Sequence, residues 1–369
     1  MSVLKYTFKV LTISGCWRPD SWSSLYKRIA YYIYTSVIIL LVITFMLSQL
    51  IDVILTIGNI DDVFDNIFIV ISLINVSCKL FILLINRKNI LILIDILMEK
   101  ACRPSESTEI KIQYKFEKYM ESNSKCCVYM GMVTILCIAL SSLPINFRNR
   151  KLMYRAWLPF DYTSTVPFCL TYTYQLISLA VSTLITLGCN SLICGLFVHI
   201  CCQIEILTYR LRKIISCSDR FHNCVLQHYN IFRLAFIVKT KLSLIIAIQF
   251  IMTTMIMCFS LYQLDKTTTK AEYFEMILCI LFVLTEIFLY CWFGNEVKIK
   301  SCQMIDNIFE MEWMTLDKDR KKSLMIIMTR ALVPIQITCS YIIPINLNSF
   351  MGILKMSYSI YNLIQQIRQ

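Results

Sequence analysis

Six apolar stretches, each long enough to cross a bilayer, decide what this chain can become. They fall at about 29–55, 63–86, 126–146, 166–198, 240–263 and 273–293. A helix needs about twenty mostly apolar residues to cross the hydrocarbon core. The whole chain is 57% hydrophobic and 16% charged, with a mean hydropathy of +0.63. Soluble domains carry roughly 25% charged residues, so one aqueous core of this size cannot hide so much apolar surface. Seven glycines and seven prolines leave little room for a loop-rich or disordered chain. The fold class expected is all-α, a polytopic membrane protein.

The last quarter of the chain is less simple. Residues 346–367 form a seventh apolar stretch, but it carries Lys355 and several polar groups. Polar residues in a span usually face a bundle interior or water, which is a first pointer to a pore. Residues 323–345 are apolar too, yet Arg330 sits among them and Pro334 and Pro344 interrupt them. An unpaired arginine at mid-bilayer is costly. The segment therefore reads as a broken helix at the cytoplasmic edge of the membrane, which gives seven crossings rather than eight.

Lysine and arginine counts orient those crossings. The N-terminal tail holds five, residues 87–124 seven, 199–238 five and 294–345 seven. The opposite side holds none at 56–62, four at 147–165, two at 264–272 and one at the C-terminus. The cluster Arg148, Arg150, Lys151 and Arg155 is the exception. The positive-inside rule places the N-terminus in the cytoplasm and the C-terminus outside the cell membrane. G-protein-coupled receptors, also of seven spans, have the reverse N-terminus. Asp219-Arg220-Phe221 lies mid-loop instead of ending span three, and no Asn-Pro-x-x-Tyr closes the last span. A transporter is the other alternative, but no internal repeat is evident. The span charges Lys79 and Glu286 lie toward the predicted cytoplasmic ends, where long side chains reach the headgroups.

Chemistry of other kinds is sparse. The net charge of +12 is spread between spans instead of forming one basic face, so no nucleic-acid partner is expected. The N-terminal residues hold no apolar run followed by a small-residue cleavage site, so no removable signal peptide is expected. The chain has no Walker, G-x-G-x-x-G, H-E-x-x-H or G-x-S-x-G motif, and an enzyme is not expected. His199, His222 and His228 sit in or beside a basic loop and read as solvated. Neither a metal site nor a cofactor is expected. The eighteen cysteines read as small polarizable fillers, not a disulfide framework. Asn75-Val76-Ser77 is a formal glycosylation sequon, but inside a span it should stay unmodified.

From residue 286 onward the sequence carries Tyr290-Cys291-Trp292-Phe293-Gly294-Asn295-Glu296, Ser301, Trp313, Lys321-Lys322, Arg330 and Pro334. Ile353-Leu354-Lys355 and Ser357-Tyr358-Ser359 follow. Upstream, Leu158-Pro159-Phe160-Asp161 precedes Pro167 and Tyr174-Gln175. In this order the pieces resemble the insect odorant receptor family. Gustatory receptors, the sister family, end on a Tyr-Phe pair that this chain lacks, since Ser359-Ile360 and Gln366-Ile367 stand in that register.

The resemblance implies one seven-transmembrane domain over 1–369 whose seventh helix is split into cytoplasmic and membrane halves. Residues 199–239 and 294–345 would form a cytoplasmic anchor between subunits. Four subunits would surround one pore lined by the last helix, with Leu363, Gln366 and Ile367 at its hydrophobic constriction. Because 199–238 leaves no room for a co-receptor-type insertion, the chain resembles an odour-tuning subunit that partners the odorant receptor co-receptor (Orco) in a lipid membrane.

The ligand implied is a small, volatile, mostly apolar odorant held in the outer half of the bundle. That half would contain Phe68, Ile71 and Ser72 from span two and Leu136, Ala139 and Leu143 from span three. Span four would add Tyr172, Gln175, Leu176 and Leu179, and span five Met252, Met255, Ile256 and Phe259. Helical spacing puts Tyr172, Leu176 and Leu179 on one face, and the four span-five residues on another. Gln175 or Tyr172 would supply a hydrogen bond.

Overall fold

The computed structural model describes residues 4–19, 21–58, 60–162, 164–214, 221–267, 269–310, 313–339 and 343–368. In chain order the helices are α1 (Lys5–Ile13), α2 (Leu25–Leu55), α3 (Ile60–Ile85), α4 (Arg87–Met98), α5 (Ser107–Asn149) and α6 (Thr165–Ile214). They continue with α7 (Phe221–Lys241), α8 (Ser243–Lys266), α9 (Lys270–Phe309), α10 (Lys318–Ala331) and α11 (Leu347–Arg368). Two short strands, β1 (Thr338–Cys339) and β2 (Ile343–Pro344), pair antiparallel between α10 and α11.

Among the described residues six helices are long and apolar enough to cross a membrane: α2, α3, α5, α6, α8 and α9. Three of them far exceed that need. With 43, 50 and 40 residues, α5, α6 and α9 reach roughly 60–75 Å at 1.5 Å per residue, about twice the hydrocarbon thickness. Their surplus turns pack together and against α4, α7 and α10, which builds a second lobe at one end of the bundle. The core runs through both lobes along α6, buried almost without interruption from Ile185 to Leu207.

Local chemistry sets the ends. Thr269 accepts a bond from the Glu272 backbone N–H and caps the start of α9. Near the C-terminus, α10 stops at Ala331, three residues before Pro334. Helix resumes only after Pro344, where Asn346 Oδ1 accepts from the Ser349 N–H at 2.9 Å and caps α11. The segment 323–345 is thus the end of α10 followed by a strand pair. Arg330 at that end lays its guanidinium over the Phe232 ring of α7, 4.2 Å from the centroid.

The connector between α10 and α11 is pinned to α9. Ser301 Oγ accepts from the Ile335 N–H at 2.9 Å. At Gly294 a Cβ would sit 2.7 Å from both Cγ2 and the carbonyl oxygen of Ile345, so only glycine allows the two backbones this approach. At the other terminus, α1 seats Leu4 and Leu11 over Gly195 and Gly188 of α6, and Thr7 Oγ1 meets Ser191 Oγ at 2.8 Å.

The structure corrects two expectations about polar residues. His199 and His228 are buried and not solvated, while His222 is exposed. His228 packs on Phe232, and burial together with the nearby Arg330 lowers its pKa to about 4. Lys79 and Glu286 do not reach toward headgroups; both lie in the core of the bundle. Among the described residues no disulfide forms, and most of the cysteines there are buried.

Candidate ligand-binding site

Between α3, α5, α6, α8 and α9 the bundle leaves a cavity of about 140 Å³. Each helix offers one face with three- or four-residue spacing. The face of α3 holds Phe68, Ser72 and Asn75, that of α5 Gly131, Thr134, Ile135 and Ile138, and that of α6 Leu179, Ser182, Thr183 and Thr186. Ile256 and Ser260 come from α8, and Cys279, Phe282, Val283 and Glu286 from α9. Tyr154, from the α5–α6 loop, completes the wall. Gln175 holds that loop in place: its Nε2 donates to the Tyr154 carbonyl at 2.9 Å, and its Oε1 accepts from the Tyr154 N–H at 3.3 Å.

One end of the cavity is polar. Asn75 Nδ2 donates to Gln249 Oε1 at 3.1 Å, and Gln249 Nε2 donates to Glu286 Oε2 at 3.3 Å and to Thr253 Oγ1 at 3.0 Å. Alongside, Lys79 Nζ and Tyr290 Oη both donate to Asn190 Oδ1, at 2.9 and 3.0 Å. These bonds join α3 to α8, α8 to α9, α9 to α6 and α6 back to α3. They form a closed ring of four helices that shelters two charged side chains from an apolar surround, where an unbonded charge costs several kcal/mol or more. Among the described residues no three His, Cys, Asp or Glu side chains converge as a metal site would need.

Of the residues anticipated from sequence, Phe68, Ser72, Leu179 and Ile256 border this cavity. Tyr172 is buried but bonds to Ser142 Oγ at 2.8 Å and packs edge-on against Phe147, and Gln175 is spent on the Tyr154 loop. Leu136 and Met255 are largely exposed on the outside of the bundle. Ile71, Ala139, Leu143, Leu176, Met252 and Phe259 are half-buried and do not border the cavity. The faces had helical spacing, but on α5 and α6 the cavity lies about one and a half to two turns nearer the second lobe. On α5 it uses 131–138 instead of 136–143, and on α6 it uses 179–186 instead of 172–179. Asn75, Ser182, Glu286 and Tyr154 went unanticipated. The polar pattern at 72, 75, 182 and 186 inside apolar spans was the available signal for all but Tyr154, which the loop delivers.

On α11, Ile353 and Ser357 are buried against α8 and α9, whereas Met351, Met356, Tyr358 and Leu363 are exposed. Gln366 is exposed as well, and the side chain of Ile367 lies outside the described residues. Ser357 Oγ donates to the Thr254 carbonyl of α8 at 3.4 Å. A lateral groove of about 530 Å³ flanks α2, lined by Leu158-Pro159-Phe160 and Tyr174.

A helical membrane bundle with a largely apolar cavity and a polar end has the architecture suited to binding a small molecule. Residues 59–358 match the family model described as 7tm Odorant receptor. The chain belongs to the insect odorant receptor family. It is 23% identical over 348 residues to odorant receptor 46a, isoform A, of Drosophila melanogaster, covering 90% of each chain. It is 22% identical to Drosophila odorant receptor 2a, covering 98% of this chain and 96% of that one. In fold it matches the insect olfactory receptor OR5 from Machilis hrabei in complex with eugenol, with a TM-score of 0.89 at 18% identity. That match covers 99% of this chain and 97% of the other.

Proposed function

We propose that the chain is the odour-tuning subunit of a heteromeric, odorant-gated, non-selective cation channel. Its odorant occupies the cavity between α3, α5, α6, α8 and α9, and its pore is lined by α11. In this reading it joins the odorant receptor co-receptor in a tetramer in the cell membrane. The N-terminus is cytoplasmic and the C-terminus extracellular, as the loop charges require. The surplus ends of α6 and α9 with α7 and α10 form the cytoplasmic anchor, covering 199–239 and 294–345. The apolar residues that α11 leaves exposed then face neighbouring subunits or the pore.

The observation that carries the reading is the position of α8. It borders the cavity at Ile256 and Ser260, and between them and its N-terminal half it meets Ser357 of α11 at Thr254. A ligand that displaces α8 therefore acts directly on the helix assigned to the pore. Eugenol, the ligand of the Machilis receptor, is of the size and character that such a cavity admits. The test is current recorded from cells expressing this chain with and without the co-receptor, across an odorant panel. Odorant-evoked current only in the pair is expected. Replacing Leu179 should reorder potencies, since one methylene of fit is worth about 1–3 kcal/mol, and replacing Met255 should not. Full current from this chain alone, or an unchanged ranking in the Leu179 variant, would sink the reading.

A further inference from the structure

The polar end of the cavity is not chemically neutral in what it offers. Asn75 and Ser182 both border the cavity and are both more than nine-tenths buried. Asn75 Oδ1 and Ser182 Oγ have no hydrogen-bond partner within the protein. A buried polar atom left unbonded costs about 1–3 kcal/mol, so a group that bonds it contributes strongly to affinity.

The orientation of Asn75 follows from its neighbours. Gln249 turns its Nε2 to Glu286 Oε2 and Thr253 Oγ1. Gln249 must then present Oε1 to Asn75, and Asn75 must answer with Nδ2. What remains of Asn75 is Oδ1, a pure acceptor. The Glu286 carboxylate borders the same end of the cavity and adds acceptor character. The remaining wall is mostly apolar side chains, with hydroxyls from Ser72, Tyr154, Ser260 and three threonines, and Ser72 donates to the Phe68 carbonyl of its own helix. The threonine hydroxyls do not compete as free donors where their bonding is known: Thr134 and Thr183 each donate back to their own helix, to Met130 and Leu179 carbonyls.

We propose that this acceptor-rich end makes the cavity selective for odorants that donate a hydrogen bond. Small alcohols and phenols are preferred over ethers, esters or hydrocarbons of equal size, and Asn75 is the specificity-determining residue. A hydroxyl hydrogen satisfies Asn75 Oδ1, while the hydroxyl oxygen accepts from Ser182. An ether at the same place offers an oxygen to an oxygen and leaves Asn75 Oδ1 unbonded. The proposal rests on the cavity being the odorant site.

The experiment compares matched pairs, phenol with anisole and 1-hexanol through 1-octanol with their methyl ethers. Each is read by ligand-induced thermal stabilisation of the purified chain in detergent and by potency in the co-expressed channel. The hydroxyl member of each pair is expected to be about threefold to tenfold more potent, the worth of one net hydrogen bond. Asn75→Leu should narrow that ratio, whereas Ser182→Ala should weaken hydroxyl and ether alike, since either oxygen accepts from the serine. Asn75→Leu also unlinks Gln249, so Asn75→Asp serves as the variant that keeps an acceptor and should retain the hydroxyl preference. If both members of each pair bind equally, or the ratio survives Asn75→Leu, the selectivity proposal falls while the cavity stands. If Leu179→Phe, which fills the cavity, leaves every ligand's effect intact, the site assignment falls and takes this proposal with it.

Discussion

Arg210 and Glu109 tie the long helices together in the second lobe, and breaking them should show how. Glu109 at the start of α5 is buried and receives Arg210 Nε and Nη2 at 2.9 and 2.8 Å, plus the Ser105 N–H at 2.7 Å. The same guanidinium donates to the Ala101 and Arg103 carbonyls and to Gln227 of α7, which in turn bonds Gln203 of α6. One cation therefore fastens the α4–α5 loop, α5, α6 and α7. Removing one partner of such a pair leaves a buried charge unanswered and costs about 3–5 kcal/mol. A chain of this size loses at most about 2 °C of melting temperature per kcal/mol. Glu109→Leu should therefore melt about 4–7 °C lower in detergent by intrinsic fluorescence and reach the cell surface poorly. Arg210→Met should fall as far. The double variant should fall much less than the two losses combined, because the second change removes the charge the first stranded. Strictly additive losses, or a Glu109→Leu protein that melts within a degree of the native one, would refute the account.

Three further outcomes follow from the geometry. Gly294→Ala should abolish surface expression or odorant-evoked current, because its Cβ would meet the Ile345 backbone; Gly352→Ala, with open space around it, should be silent in both assays. In the co-expressed channel, Leu363→Asn should raise resting current, and Leu363→Cys should react with a water-soluble thiol reagent when odorant is present; failure of both would remove α11 from the pore. His228 takes up its proton only near pH 4 when folded but near 6.5 when unfolded. The unfolded chain thus binds more protons between these values, so the melting temperature should decline as pH falls from 6.5 toward 4. His228→Asn should flatten that decline, and an equal decline in the variant would contradict the assignment.

The spans were legible because lipid leaves one solution for a long apolar run, and Pro334, Pro344 and Arg330 marked where the last helix divides. The helix ends were not. Nothing in the polar residues after 198 or 293 distinguishes a loop from surplus turns of the same helix, since those turns are stabilised by packing in the second lobe and not by lipid. The cavity faces suffered from the same gap. Periodicity fixes which residues share a face, but in a span apolar on all sides it does not fix which face turns inward. Leu136 and Ile138 look alike in sequence and part ways only in the bundle, where one is exposed and the other buried. The polar residues held the missing phase. Asn75, Ser182 and Glu286 could not face lipid at tolerable cost, and each marks the inward side of its helix.

That phase information also bears on gating. Between helices in lipid, apolar packing changes little with rotation, so hydrogen bonds fix the register. The ring through Asn75, Gln249, Glu286, Tyr290, Asn190 and Lys79 holds α3, α8, α9 and α6 at one level. On α8 the ring engages Gln249, which also bonds Thr253 within the same helix. The hydrogen bond from Ser357 to Thr254 and the cavity-lining Ile256 and Ser260 lie on one side of that point. A segment anchored at one end and loaded beyond it tilts about the anchor. On the proposed reading, filling the cavity would move Thr254, Ile256 and Ser260 in one sense, with Gln249 as the pivot, and α11 would follow through Ser357. The buried polar residues thus have two roles in the proposed channel: they orient the helices that enclose the odorant, and they supply the fixed point against which its binding is felt.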